Sequence, residues 1–392
     1  MNIRSVIFSL VLLTSAAAIA ETDSRDWLLV DTHIDVPYRV NKEWVDVTNS
    51  TEKGDFDYPR AIAGGLDIPF MSIYTPPEAE EDDTAWHLAN QLIDSVESIV
   101  QRAPERFMMV HSVADARSAH ADKKRIGLAL GMENGGPIAG DLENLQHFYD
   151  RGIRYITLAH SKSNHISDSS YDEDRQWDGL SDFGEQLVAE MNRVGIMIDI
   201  SHVSDAAFYE VMELSKTPVI ASHSSARHFT PEWERNMSDD MIKKLAENGG
   251  VIQINFGSDF ISQETRVYSN EYKDLRDAYV EANDFKKSGE AADKFKEKYR
   301  EENPFPYTTL SHVVDHYDHI IDLVGIDYVG IGSDYDGVGD SLPEDLKSVV
   351  NYPDLVAEFE RRNYSDEDIQ KILGLNLLRV WQAVEDYANA LN

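Results

Sequence analysis

Along the chain, short runs of almost unbroken apolar residues alternate with segments in which apolar residues return every three to four positions. The runs are Trp27 to Asp35, Gly65 to Tyr74, Ile126 to Glu133, Tyr155 to His160, Ile196 to His202, Pro218 to His223, Gly250 to Phe256 and Tyr328 to Asp334. Between them, Thr84 to Ile99, Leu180 to Val194, Asp205 to Leu214, Asp239 to Glu247 and Leu310 to Val324 carry helical period. Ser204 and Ser238 stand where helix N-caps belong, each followed by aspartate. Strands apolar at nearly every position are buried on both faces, and a helix after each one makes them parallel. Eight such units predict an α/β fold, a (β/α)8 TIM-like barrel. The competitor is an open doubly wound sheet, whose G-x-G-x-x-G after the first strand is missing here.

Two stretches fall outside the repeat. Residues 258–304 form a charged insertion before the eighth strand, helical over Glu271 to Arg300. It reads as a solvated excursion near the rim, with a lid over the site as the alternative. Near the C-terminus, Ser365 and Asp368 form a capping box ahead of Ile369, Ile372, Leu373, Leu377 and Val380. That pattern predicts a helix packed on the barrel and broken near Gly374.

The first 20 residues read as a signal peptide: Arg4 is the basic start, Val6 to Leu13 the apolar core, and Ala18-Ile19-Ala20 the cleavage site. The expected mature chain is one metallohydrolase domain, 21–392, exported to the periplasm or secreted. No later run approaches the ~18 apolar residues of a membrane span, and 385–392 lack a hydrophobic tail, so no membrane anchor is expected.

Against 36 lysines and arginines stand 71 acidic residues, a net charge of −35. Such a surface repels phosphate backbones, which argues against nucleic acid and anionic membranes as partners. There is no cysteine, so export would proceed without disulfides and any metal is left to His, Asp and Glu.

In this fold the C-terminal tips of the strands meet around one cavity. The predicted tips supply His33 and Asp35, Glu133, His160, His202, His223 and Asp334. Singly, each has a bland reading: Glu133 as a loop carboxylate, the histidines as buried hydrogen-bonded rings. One cavity holding all of them favours a functional site. His312-x-x-Asp315-His316 places two imidazoles one helical turn apart, as in a zincin helix. The zincin base is glutamate, however, and the helix continues with Val313, Val314, Ile320 and Ile321, so core is the preferred reading. His87, His111, His120, His147 and His165 have no partners in sequence.

The motifs Asp31-Thr32-His33-Ile34-Asp35-Val36-Pro37, Gly131-Met132-Glu133, Arg154 to His160, Asp199-Ile200-Ser201-His202, Ser222-His223-Ser224-Ser225, Arg235-Asn236 and Gly332-Ser333-Asp334-Tyr335-Asp336-Gly337 run in order along the chain. Together they resemble the renal (membrane) dipeptidase family, metallopeptidases of the amidohydrolase-like barrels. The resemblance implies two Zn2+ per chain, one on His33 and Asp35, the other on His202 and His223, with Glu133 bridging. It implies hydrolysis of a dipeptide by a metal-bridging hydroxide, with a D-residue tolerated at the second position. By the same likeness His160 would bind the carbonyl oxygen, Arg235 would grip the terminal carboxylate, and Asp334, rather than Asp336, would move the proton. Mammalian members carry disulfides and a lipid anchor; with no cysteine and no hydrophobic tail here, neither is carried over as an expectation, and a candidate partner is a second copy in a non-covalent homodimer. The rival function is another binuclear hydrolase on this barrel, acting on a lactam, cyclic amide or ester.

Overall fold

The computed structural model describes residues 26–286 and 289–391, so the expected signal peptide and its cleavage site lie outside the described residues. Among the described residues there are nine parallel strands: β1 Val30–Ile34, β2 Ile68–Tyr74, β3 Phe107–Met109, β4 Ile126–Glu133, β5 Ile153–Thr157, β6 Met197–Asp199, β7 Ile220–Ser224, β8 Val251–Ile254 and β9 Val329–Ile331. Their order is β1-β2-β4-β5-β6-β7-β8-β9, with β3 appended to β4. The ring is completed where the Asp35 amide donates to the Tyr335 carbonyl (2.9 Å) and the Asp334 amide to the His33 carbonyl (3.1 Å). The expected eight-stranded barrel is therefore present. β3 is an addition, too short at three residues for its alternation to stand out.

Helices cover the outside as the periodicity predicts. Asp205–Leu214 and Asp239–Glu247 are helical over the expected residues, and Ser204 and Ser238 accept from the backbone amides of Ala207 and Met241. Ser365 caps Asp366–Gln370 with the reciprocal Asp368 contact, and the chain kinks at Gly374 before Asn376–Leu391. The insertion is a pair of helices, Gln263–Ala282 and Glu290–Glu302, preceded by the short buried helix Ser258–Ile261. Tyr272 and Tyr279 of the first helix pack on Phe295 of the second. Among the described residues no helix is long and apolar enough to cross a membrane.

Side-chain alternation divides the apolar residues into two clusters, because every second residue of a barrel strand points inward. Val30, Phe70, Ala129, Tyr155, Met197, Ile220 and Val251 join Leu377, Leu378 and Trp381 of the last helix, which plug the lower end of the barrel. The larger cluster holds the outward-facing Met71, Leu130, Ile156, Ile198, Ala221 and Ile252 under the helices. Two residues further along six of these seven strands the inward positions change character: Thr32, Ser72, Thr157, Asp199, Ser222 and Gln253 are all buried and polar, and the seventh, on β4, is Gly131. The barrel thus grades from apolar to polar toward the strand tips.

Candidate active site

Glu133 ends β4 at the centre of this polar end. Its Oε1 lies 3.2 Å from His202 Nε2, 3.3 Å from His223 Nε2 and 3.4 Å from His160 Nε2. Its Oε2 faces the other way, 3.3 Å from His33 Nε2, and accepts from Ser72 Oγ at 3.2 Å. Asp35 Oδ2 approaches the same His33 nitrogen at 3.4 Å. His33, Asp35 and Asp334 form one group of converging donor atoms, His33, Glu133 and His223 a second, and Glu133, His160 and His202 a third. All eight residues expected at the site are thereby placed, seven of them around one point and Arg235 just behind it.

Several sit beyond the strand ends. β5 stops at Thr157, β6 at Asp199 and β9 at Ile331, so His160, His202 and Asp334 lie in the following turns. His202 (φ 68°) and Asp334 (φ 63°) adopt the left-handed conformation, which folds the chain back so that the side chain points over the barrel mouth. Gly337 makes the last turn possible, since a β-carbon there would fall 2.1 Å from Asp334 Oδ1 and 2.2 Å from Asp35 Oδ2.

Hydrogen bonds decide which nitrogen each ring presents. The Tyr155 hydroxyl donates to the Thr32 carbonyl (2.9 Å), so its lone pair accepts from His33 Nδ1–H (2.8 Å) and Nε2 faces the carboxylates. Likewise Ser222 Oγ donates to Asp199 Oδ2 (2.6 Å) and accepts from His223 Nδ1–H (2.7 Å), leaving Nε2 as the free lone pair. His33 Nε2, His202 Nδ1 and His160 Nδ1 are buried without a hydrogen-bond partner. His202 Nε2 and His223 Nε2 approach to 2.8 Å beside one carboxylate oxygen. Lewis bases converging in this way, all of nitrogen and oxygen, fit a divalent cation at each face of Glu133.

The electrostatics differ between the two faces of Glu133: around His33, burial is outweighed by Tyr155, Glu133 and Asp35, which raise that ring well above the usual imidazole range. Burial, reinforced by Arg235, holds His202 well below the usual imidazole range, and burial with His33 does the same to His223, so both are neutral as ligation requires. Burial alone would raise the Glu133 carboxyl, but the surrounding histidines overcome it and hold it well below the ordinary value. Burial lowers the imidazole of His160 too. Asp334 is pushed well above the carboxylate range by burial and by Asp35 and Glu133, which outweigh His33. A carboxyl that resists ionisation in this way is suited to carrying a proton. Its neighbour Asp336 is otherwise engaged, bound to Arg39 Nε at 3.0 Å and to the Asp55 amide at 2.7 Å.

Arg235 is not a surface salt bridge. It is 2% exposed, donates to the His223 carbonyl and Ser224 Oγ (both 2.7 Å), and its Nε has no partner. No carboxylate pairs with it among the described residues. A buried guanidinium without a counter-anion carries a desolvation cost that an incoming carboxylate would offset.

The mouth opens into a cavity of about 600 Å³, lined by Tyr38, Tyr74, Tyr171 and Phe260 together with the acidic and histidine side chains. These aromatic walls are absent from the sequence reading, since nothing in local pattern separates them from core. Phe260 belongs to the insertion, so that segment is a wall of the cavity at its start and a solvated excursion only beyond it. The zincin-like pair serves structure: His312 Nδ1 accepts from the Thr309 amide, while His316 bonds the Ala226 amide and the Ile261 carbonyl. A further group, His228, Asp239 and His319, lies outside the cavity. Its two rings stack nearly parallel at 4.3 Å, which directs their in-plane lone pairs side by side rather than to a common point.

A sequence profile of the family described as Membrane dipeptidase (Peptidase family M19) matches residues 20–392. An uncharacterized dipeptidase of Schizosaccharomyces pombe is 32% identical over 381 residues, 91% of this chain and 80% of that protein. Dipeptidase tcpJ of Claviceps purpurea is 33% identical over 342 residues, 86% of this chain and 70% of that one. Among solved structures, the probable dipeptidase PvdM from Pseudomonas aeruginosa superposes with a TM-score of 0.77 at 26% identity, covering 92% of this chain and 96% of its own.

Proposed function

The chain belongs to the membrane dipeptidase family, peptidase family M19, whose members are metal-dependent dipeptidases, and on that premise we propose a specific assignment of its site. His33 and Asp35 would hold one zinc ion and His202 and His223 a second, with the Glu133 carboxylate available to both. The observation that carries this reading is the orientation of Glu133: one carboxylate oxygen faces His33 and the other faces His202 and His223. Bound there, such a pair supplies Lewis acidity, lowering the pKa of water and polarising a carbonyl.

The chain's own residues do the rest. Arg235 binds the terminal carboxylate of a dipeptide, which limits the substrate to a residue on either side of the cleaved bond. His160 is more open to the cavity than the other histidines of the cluster, with its side chain 19% exposed against 0–6% for His33, His202 and His223. It is therefore the ring that hydrogen-bonds the substrate carbonyl oxygen as negative charge develops there. Asp334, held by Asn255 Nδ2 at 2.6 Å, accepts the proton of the attacking water and passes it to the leaving amine as the C–N bond breaks. Tolerance of a D-residue at the second position belongs to the same reading and follows from the family resemblance, and export follows from the leader-like first 20 residues.

The test is a panel of dipeptides, lactams, cyclic amides and esters assayed with the purified chain alongside metal analysis. Dipeptide turnover with two zinc ions per chain is expected. Preference for a lactam or ester at equal metal content would transfer the site to the rival reaction.

A further inference from the structure

The two faces of Glu133 are supported from below by different chemistry. His33 answers to a neutral phenol, Tyr155, whose own proton is committed to a backbone carbonyl. His223 answers to a hydroxyl, Ser222, whose proton is committed to the buried carboxylate of Asp199. Asp199 is fully buried inside the barrel and is bound only by neutral donors. Its Oδ1 accepts from the amides of Ser201 (3.0 Å) and Ser222 (2.8 Å), and its Oδ2 from Ser222 Oγ (2.6 Å) and from Thr157 Oγ1. One carboxylate therefore anchors both the Ser201-His202 turn and the Ser222-His223 strand end. Ser201 adds a second tie, since its Oγ accepts from the His223 amide at 3.1 Å.

We infer that Asp199 is a positioning residue which, acting through Ser222, orients His223 and raises its basicity, and so makes the His202/His223 position the tighter of the two cation positions. The relay runs His223 Nδ1–H to Ser222 Oγ–H to Asp199, so positive charge gained at Nε2 is answered by the anion two hydrogen bonds away. Behind Tyr155 the proton goes to the Thr32 carbonyl instead, and among the described residues no carboxylate is hydrogen-bonded to the phenol. The inference rests on the paired-cation reading proposed above, but it concerns the unequal support of the two positions.

The experiment is titration of the metal-stripped full chain with Co2+, followed by visible absorption, and with Zn2+ against a chromophoric chelator. Wild type is expected to bind two ions with separable affinities. Ser222→Ala should weaken the tighter affinity about 10- to 100-fold and leave the weaker within about twofold, and Ser222→Thr, which keeps the hydroxyl, should restore it; loss from the weaker affinity alone would overturn the order of the two positions. Tyr155→Phe should weaken the other position instead. Asp199→Asn should reproduce Ser222→Ala and add nothing to it in the double variant, because both break one relay. Equal weakening of both positions by Ser222→Ala, no weakening at all, or additive losses in the double variant would overturn the inference while leaving the cation pair standing. A wild type that binds fewer than two ions would instead remove the paired-cation reading and this inference with it.

Discussion

Gly131 lies directly against the ring of Tyr155: a β-carbon built on it would come within 2.0 Å of Tyr155 Cζ. The glycine two residues before Glu133 thus gives a large side chain room to stand inside the barrel and reach His33. Gly131→Ala is expected to force the ring aside and cost about 1–3 kcal/mol of stability through overpacking. Chemical denaturation should show the loss, and metal analysis should show weaker retention of the ion on the His33 side. An alanine variant with wild-type stability and metal content would mean that the ring has somewhere else to go.

Glu133→Gln keeps the shape of the side chain and removes its charge between the two groups of histidines. Both bound ions, not one, should be lost on dialysis, and kcat/KM should fall by more than about 100-fold, since even supporting groups around a metal cost that much. Inductively coupled plasma analysis reads the first outcome. Retention of two ions with full activity would refute the bridging role.

For Arg235→Ala the expected loss is carried by substrates that bear a free terminal carboxylate. Truncating one side of a buried charge pair costs about 2–5 kcal/mol, so kcat/KM on a dipeptide should drop about 30-fold or more. The corresponding dipeptide amide should be far less affected. Equal losses on acid and amide would mean that Arg235 only holds the His223 carbonyl and Ser224 in place.

Asp334→Asn separates proton movement from ion binding. The amide can still meet Asn255 through a flipped oxygen, but it cannot take up a proton. A fall in kcat of about 10²- to 10⁴-fold with metal content unchanged is expected. Steady-state kinetics paired with metal analysis decides it, and a matching loss of metal would make Asp334 a ligand instead.

Much of this was legible because barrel topology converts order along the chain into convergence in space. The apolar runs located the strands, and their last residues supplied His33, Asp35, Glu133, His160, His202, His223 and Asp334 without any knowledge of contacts. The supporting residues were not legible in the same way. Tyr155 reads as a core aromatic, Thr157 and Ser222 as ordinary strand residues, and only the three-dimensional register shows that they share the inward layer beneath the ligands. The one local hint was Asp199, a carboxylate inside an otherwise apolar run, three residues before His202. Arg235 illustrates the opposite case: the Arg235-Asn236 motif received its role only through the family resemblance, and its burial behind His223 is visible only in three dimensions. The aromatic cavity walls come from four separate places, a helix (Tyr38), the tip of β2 (Tyr74), a loop (Tyr171) and the insertion (Phe260), and local pattern does not report what lies opposite each of them.

His316 provides a test of the fold away from the candidate cations. Its ring is fully buried, with Nδ1 accepting from the Ala226 amide and Nε2–H donating to the Ile261 carbonyl, so it is held neutral. Burial lowers its pKa from 6.5 to about 3. Because the folded value lies below the unfolded one, the unfolded chain binds a proton first as pH falls. The stability His316 contributes is therefore complete above pH 6.5 and is lost progressively down to about pH 3. The slope from this one group is about 1.4 kcal/mol per pH unit across that window. His316→Gln, which cannot titrate, should be less stable than wild type at pH 7 yet lose stability more slowly between pH 6 and 4. Denaturant unfolding of both proteins at several pH values measures the difference in slope, and parallel curves would show that His316 already takes up its proton in the folded state.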